Sequence, residues 1–162
     1  MDNDESTTYD KIADYFIGLS NETGGLITNL KLQKLVYYAQ AWSLALNNKE
    51  LFNDDFEAWV HGPVLRALYD KYKVLRWTPI NKEVDFAAVQ GSFSSEVQKL
   101  LAEVAETYFE LDAYKLERLT HSEEPWIEAR GSLADNEVCS NTISKDTMKR
   151  YYTNLVATAQ NA

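Results

Sequence analysis

The chain has 162 residues, 45% hydrophobic and 25% charged, with four Trp, ten Tyr and six Phe. That length predicts one domain over residues 1–162, able to bury roughly 70% of its unfolded surface, with residues 1–7 and 158–162 as loose ends. Sixteen Lys and Arg against 25 Asp and Glu leave a net charge of −9, which argues against nucleic acid and anionic membranes as partners and favours a basic protein.

In chain order, Thr7 or Thr8 caps a first helix to about Ser20, with Ile12, Ala13, Phe16 and Leu19 on one stripe. Asn21 to Gly25 end it. Thr28 caps a second helix to about Asn47. Its face of Leu32, Leu35, Val36, Ala39, Trp42 and Leu46, widened by Tyr38, Ala41 and Ala45, marks it as central. Glu50–Phe52 and Phe56–Val60 are β-prone. In the second, Phe56, Ala58 and Val60 point one way, and Glu57, Trp59 and His61 the other. Gly62 breaks that strand, and Pro63 suits the first turn of a helix carrying Val64, Leu65, Leu68 and Tyr72. Leu75–Thr78 reads as a third short strand stopped by Pro79.

Asn81–Gly91 reads as an irregular loop. Ser94 or Ser95 opens a helix, Ser95 with Gln98 fitting a capping box, and Val97, Leu100, Leu101, Val104, Ala105 and Tyr108 keep its period. Asp112 caps a shorter helix over Leu111–Leu119. Thr120 to Trp126 form a turn with Pro125 near the start of the next helical segment, and Gly131 follows its end. Gly131–Asn141 is loop. Ser144 caps a final helix that buries Met148, Tyr151, Tyr152, Leu155 and Val156, with Ile143 stapled onto Met148. The fold class is mainly α (α+β): a bundle of about six helices around a central aromatic helix, with a two- or three-stranded β element.

Little catalytic chemistry is visible. Gly24-Gly25 has no lysine placed like a phosphate loop, His61 and His121 have no metal-ligand spacing, and Cys139 is the only cysteine. No catalytic residue, cofactor or metal is therefore expected. The acidic start Met1-Asp2-Asn3-Asp4-Glu5 is no secretion signal, and no apolar run reaches bilayer length, so a cytoplasmic location is expected. His121 with Glu123 or Glu124 has the residue types of an acid–base pair, but at a helix end such side chains more often cap backbone groups. Trp59 shares its strand face with Glu57 and His61, which makes it a natural interface anchor. Lys31 and Lys34 suit a structural polar corner, with Glu57 as the carboxylate.

Three stretches, Leu32-Gln33-Lys34-Leu35-Val36-Tyr37-Tyr38-Ala39-Gln40-Ala41-Trp42, Glu57-Ala58-Trp59-Val60-His61-Gly62-Pro63-Val64 with Leu68-Tyr69, and Leu116-Glu117-Arg118-Leu119-Thr120-His121-Ser122-Glu123-Glu124-Pro125-Trp126, stand in that order. In motif and spacing, from about Tyr9 to Tyr152, the chain resembles the Panacea-domain antitoxin family, also called SocA-like or phage-associated GepA-like proteins. The resemblance implies a protein encoded beside a toxin gene on a bacterial chromosome, prophage or plasmid. Such a protein binds and neutralises that toxin and has no enzymatic activity. Lys31, Gln33, Lys34, Tyr37, Trp42, Gly62, Pro63, Tyr69, Thr120, His121, Pro125 and Trp126 then become structural motif residues, and Trp59, Glu57 and His61 the expected toxin contacts. Competing expectations are a small enzyme built on His121, and a phage-encoded protein aimed at a host factor.

Overall fold

The computed structural model describes residues 7–160; residues 1–6 and 161–162, most of the expected loose ends, lie outside the described residues. The order is α1 (Tyr9–Thr23), α2 (Asn29–Asn47), β1 (Glu57–Trp59), β2 (Gly62–Val64), α3 (Arg66–Tyr72), α4 (Phe86–Gly91), α5 (Ser95–Tyr108), α6 (Ala113–His121), α7 (Glu124–Arg130) and α8 (Lys145–Gln160), with a 3-10 turn at Lys73–Leu75. The molecule is mainly helical with one small antiparallel sheet, as expected. No helix among the described residues is long and apolar enough to cross a membrane.

The helix starts follow their caps. Thr8, Thr28, Ser94, Asp112 and Ser144 accept hydrogen bonds from backbone N–H groups in the first turn of α1, α2, α5, α6 and α8. Ser94, not Ser95, is the cap of α5, and Gln98 donates instead to the Phe93 carbonyl. The centre is α2, which packs against α1, α3, α5, α6, α8 and β2. Accordingly Leu32, Leu35, Val36, Tyr37, Tyr38, Ala39, Ala41 and Leu44 are all buried although they point around most of its circumference.

Several expected elements differ, each because a side chain or turn captures the backbone. Glu50–Phe52 forms no strand: the Gln40 side chain accepts from the Leu51 N–H and donates to the Phe52 carbonyl, both at 2.8 Å. Leu75–Thr78 is not a strand either. Arg76 and Thr78 bond back to Lys73 and Leu75, and Trp77 is left 80% exposed. Residues 86–91 of the expected loop are helical, because Asp85 caps α4 and Phe86 packs on Tyr15 with ring centroids 5.3 Å apart. Helix α6 runs through Thr120 and His121 rather than ending at Leu119. In α8, Leu155 is exposed and Val156 only partly covered.

Pro63 opens no helix. It lies in β2, where the register pairs Glu57 with Val64, Ala58 with Pro63 and Trp59 with Gly62. Ala58 turns its N–H to Asn141 and its carbonyl to Arg130, so the Ala58–Pro63 pair exchanges no hydrogen bonds and a residue without an N–H costs the ladder nothing. Helix α3 begins only at Arg66.

Candidate functional site

The β1–β2 hairpin is held from behind through its main chain. The Trp126 indole donates to the Trp59 carbonyl at 2.8 Å, Arg130 to the Ala58 carbonyl at 2.9 Å, and Lys34 to the Pro63 carbonyl at 3.1 Å. The Gln33 amide oxygen accepts from the Leu65 N–H at 3.0 Å, and Asn29 bridges from Gln33 to the Tyr69 carbonyl. On the outer edge, segment 141–143 bonds to Phe56 and Ala58. Lys34, Gln33, Trp126 and Arg130 are all buried, and the bonds of Lys34, Gln33 and Arg130 are shielded from water and costly to lose, that of Trp126 only partly so.

Gly62 sits where these clamps converge. Its φ of 106° lies in a region that L side chains rarely adopt, and a Cβ there would stand 2.6 Å from Lys34 Cε and 2.9 Å from Thr120 Oγ1. Lys34 fills the space a side chain would take. Burial lowers the Lys34 pKa to about 7, with the Glu117 carboxylate opposing that fall. Thr120 turns its hydroxyl to the Glu117 carbonyl at 2.8 Å. His121 stacks on Trp126, centroids 3.9 Å apart at 16°, and burial lowers its pKa against the pull of Glu117.

The outward face carries a separate constellation. Arg66 grips Glu57 with two hydrogen bonds, at 2.8 and 3.0 Å, and holds that carboxyl below its usual pKa; the Trp59 indole adds a third at 3.1 Å. The Trp59 ring lies between the Arg66 guanidinium, 5.1 Å from its centroid, and Tyr69, at 4.8 Å edge-on. His61 projects from the turn with its side chain 65% exposed and meets Glu117 at 2.5 Å. Trp59, Val60, His61 and Arg66 border a surface hollow of about 320 Å³ whose far wall includes Val138, itself 92% exposed.

The expected contacts Glu57, Trp59 and His61 thus share one face. Glu57 pairs with Arg66 and with neither lysine: Lys31 donates to the Phe109 carbonyl at 2.6 Å, and Lys34 to Pro63. Arg66 was not among the expected contacts, because its place depends on the Trp59–Gly62 pairing, which the expected helix start at Pro63 conceals; it opens α3 two residues past β2 and reaches back to Glu57. Glu117, 56 residues from His61, left no signal either.

A second polar network lies in the core. Glu123, 4% exposed, accepts from the Tyr38 and Tyr152 hydroxyls at 2.7 and 2.9 Å, and Tyr37 meets Tyr152 at 3.2 Å. Tyr38 stacks on Tyr108, centroids 4.0 Å apart, and Trp42 donates to the Tyr108 hydroxyl at 2.8 Å. Trp42 is only half-buried, because its outer edge forms the wall of a groove. Neither carboxylate of the expected acid–base pair hydrogen-bonds to His121: Glu123 holds the two tyrosines and Glu124 pairs with Arg150 at 3.0 Å. Among the described residues no three His, Cys, Asp or Glu side chains group as a metal site.

Residues 32–127 match the family model described as antitoxin SocA-like, Panacea domain, a span that holds the hairpin, α6, Trp126 and the Glu123 network on α2. Comparison with curated proteins and with solved structures gave no match. The matched span is more than half the chain and includes the Lys34, Gly62–Pro63 and Thr120–Trp126 motifs that build the hairpin mount; this chain belongs to the SocA-like antitoxin family with a Panacea domain.

Proposed function

We propose that the chain neutralises a cognate toxin, encoded by an adjacent gene, through direct protein–protein binding, with the Glu57–Trp59–His61 face and Arg66 as the contact. The observation that carries this reading is the division of labour in the hairpin. Its main chain is fixed by buried Lys34, Gln33, Trp126 and Arg130, while its outward Trp59 is held by Arg66 and Tyr69 beside an open hollow. Trp and Arg are the residues that most often dominate interface energy, and a contact already held in one conformation loses less entropy on binding. The net charge of −9 favours encounter with a basic toxin. Binding there blocks the toxin's working surface or holds it in an inactive form.

The test is co-expression of this chain with the product of the adjacent gene, followed by co-purification and growth rescue. Trp59→Ala keeps the backbone acceptor for Trp126 and is expected to retain the fold while weakening toxin binding about thirtyfold, the effect of a ~2 kcal/mol hot spot. If the adjacent product is harmless and never co-purifies, the toxin reading fails. If it binds wild type and a folded Trp59→Ala variant equally, the hairpin assignment fails.

A further inference from the structure

We propose that the free edge of segment 140–142 receives an extended segment of a partner protein as an added strand, with one apolar side chain of that segment seated in the hollow beside Trp59. This contact rests on the hairpin reading proposed above and gives the form the partner takes there. Segment 141–143 already lies along β1 as a strand would. The Ala58 N–H donates to the Asn141 carbonyl at 2.9 Å, the Ile143 N–H to the Phe56 carbonyl at 2.8 Å, and Thr142 stands opposite Glu57 in an antiparallel bridge. In a ladder of this kind successive residues turn their main-chain groups to opposite edges. Asn141 and Ile143 face β1, so Thr142 between them turns its N–H and carbonyl away from the sheet. Among the described residues neither those two groups nor the N–H and carbonyl of Ser140 make a hydrogen bond, and Ser140, Asn141 and Thr142 are all exposed.

The main chain selects the occupant. A free edge is completed by the N–H and carbonyl groups of another extended chain, whereas a helix has bonded its own groups internally. Sheet edges that stay unpaired are commonly blunted by a charge or a proline, and Ser140-Asn141-Thr142 carries neither. The same stretch of chain borders the hollow of about 320 Å³, where Val138, Cys139 and Ser140 join Trp59 and Val60. A strand laid along Thr142 therefore passes beside that hollow and points alternate side chains to its side of the sheet. Its mostly apolar lining suits an aliphatic or aromatic side chain, which would cover Val138, 92% exposed in the free chain.

The experiment is an NMR titration of ¹⁵N-labelled protein with an acetylated, amidated peptide of about seven residues, an ordinary strand length, that alternates Thr and Val around a central Phe. The control is the same peptide N-methylated at two successive central residues, which removes a donor from each of its edges. The expected result is that the parent peptide alone shifts the Ser140 and Thr142 amides and the Trp59 indole, and slows hydrogen exchange at those two amides. Thr142→Pro removes the outward N–H and leaves both bonds to β1, which run from Ala58 to Asn141 and from Ile143 to Phe56. It is expected to weaken binding about fivefold through the lost hydrogen bond. Ser140→Pro, which removes the other free N–H, is the second variant and should weaken it by about as much. The proposal is overturned if neither amide shifts, if both peptides act alike, if only the Trp59 indole moves, or if the two folded variants bind as wild type does. Slow exchange at Ser140 and Thr142 in the free protein overturns it as well. Protection that grows with concentration assigns the edge to a second copy, and protection independent of concentration assigns it to another segment of this chain. The toxin reading stands or falls on co-expression and Trp59→Ala, so the two failures are distinct.

Discussion

Replacing Glu123 by Gln should remove a pH dependence that the core builds into stability. Glu123 is buried between Tyr38 and Tyr152, whose hydroxyls donate to it at 2.7 and 2.9 Å. Burial pushes its pKa up to about 7 from the ordinary 4.5, and the two hydroxyls oppose that rise only in part. Between those values the folded chain keeps a proton that the unfolded chain releases. The resulting stability is fully present below 4.5 and is lost as pH rises through 7. A gap of about 2.5 pH units at roughly 1.4 kcal/mol each is on the order of 3 kcal/mol. A Gln amide oxygen still accepts from both hydroxyls but does not titrate. Urea unfolding of wild type and Glu123→Gln at pH 5, 6, 7 and 8 isolates the effect, because the other ionisable groups cancel in the difference. The stability of wild type relative to the variant should fall by on the order of 2–3 kcal/mol from pH 5 to pH 8. A difference that stays flat across that range refutes the reasoning.

Lys34 gives the opposite slope at higher pH. Its pKa is lowered from 10.5 to about 7, so its stabilising contribution is present above 10.5 and lost as pH falls through 7. Wild type should therefore gain stability over Lys34→Met between pH 7 and pH 10 in the same urea assay, and parallel curves contradict a buried, largely neutral amine. Gly62→Val places a branched side chain against Lys34 Cε and Thr120 Oγ1 at a φ of 106°. It should cost about 3 kcal/mol or more, read as a lower thermal midpoint, and an unchanged midpoint means that the hairpin is not clamped at this point.

Local signals were legible where a residue acts on its own backbone. The caps Thr28, Asp112 and Ser144 follow from the side chain and the three residues after it. The shared orientation of Glu57 and Trp59 follows from strand alternation, which stops there: Val60 and His61 form the turn, and Val60, expected on the opposite face, borders the same hollow. The failures lie where a distant side chain takes over the backbone. Pro63 fits the first turn of a helix by composition, but Lys34 captures its carbonyl and Gln33 captures the Leu65 N–H, which fixes an extended segment instead. Gln40 similarly prevents Glu50–Phe52 from pairing as a strand. The short α4 is a different failure: its six residues are too few to display a helical period. Glu123 was noticed for its proximity to His121 in sequence, whereas its partners arrive from α2 and α8, 85 and 29 residues away.

The kind of bond that mounts the hairpin bears on how such a domain takes a partner. Lys34, Trp126 and Arg130 hold the carbonyls of Pro63, Trp59 and Ala58, and Gln33 holds the Leu65 N–H. Carbonyl groups are common to every residue, so the mount does not depend on which side chains point outward at positions 57, 59 and 61. Gly62 is the exception, because the clamp occupies the volume of its missing side chain. Outward residues can therefore change without loosening the backbone that presents them. Val138 on the rim of the hollow lies beyond the matched span 32–127. Lys34, Gly62 and Trp126 of the matched span thus secure the hairpin together with Arg130 beyond it, and on the toxin-binding reading proposed above the outward side chains are what a partner would meet.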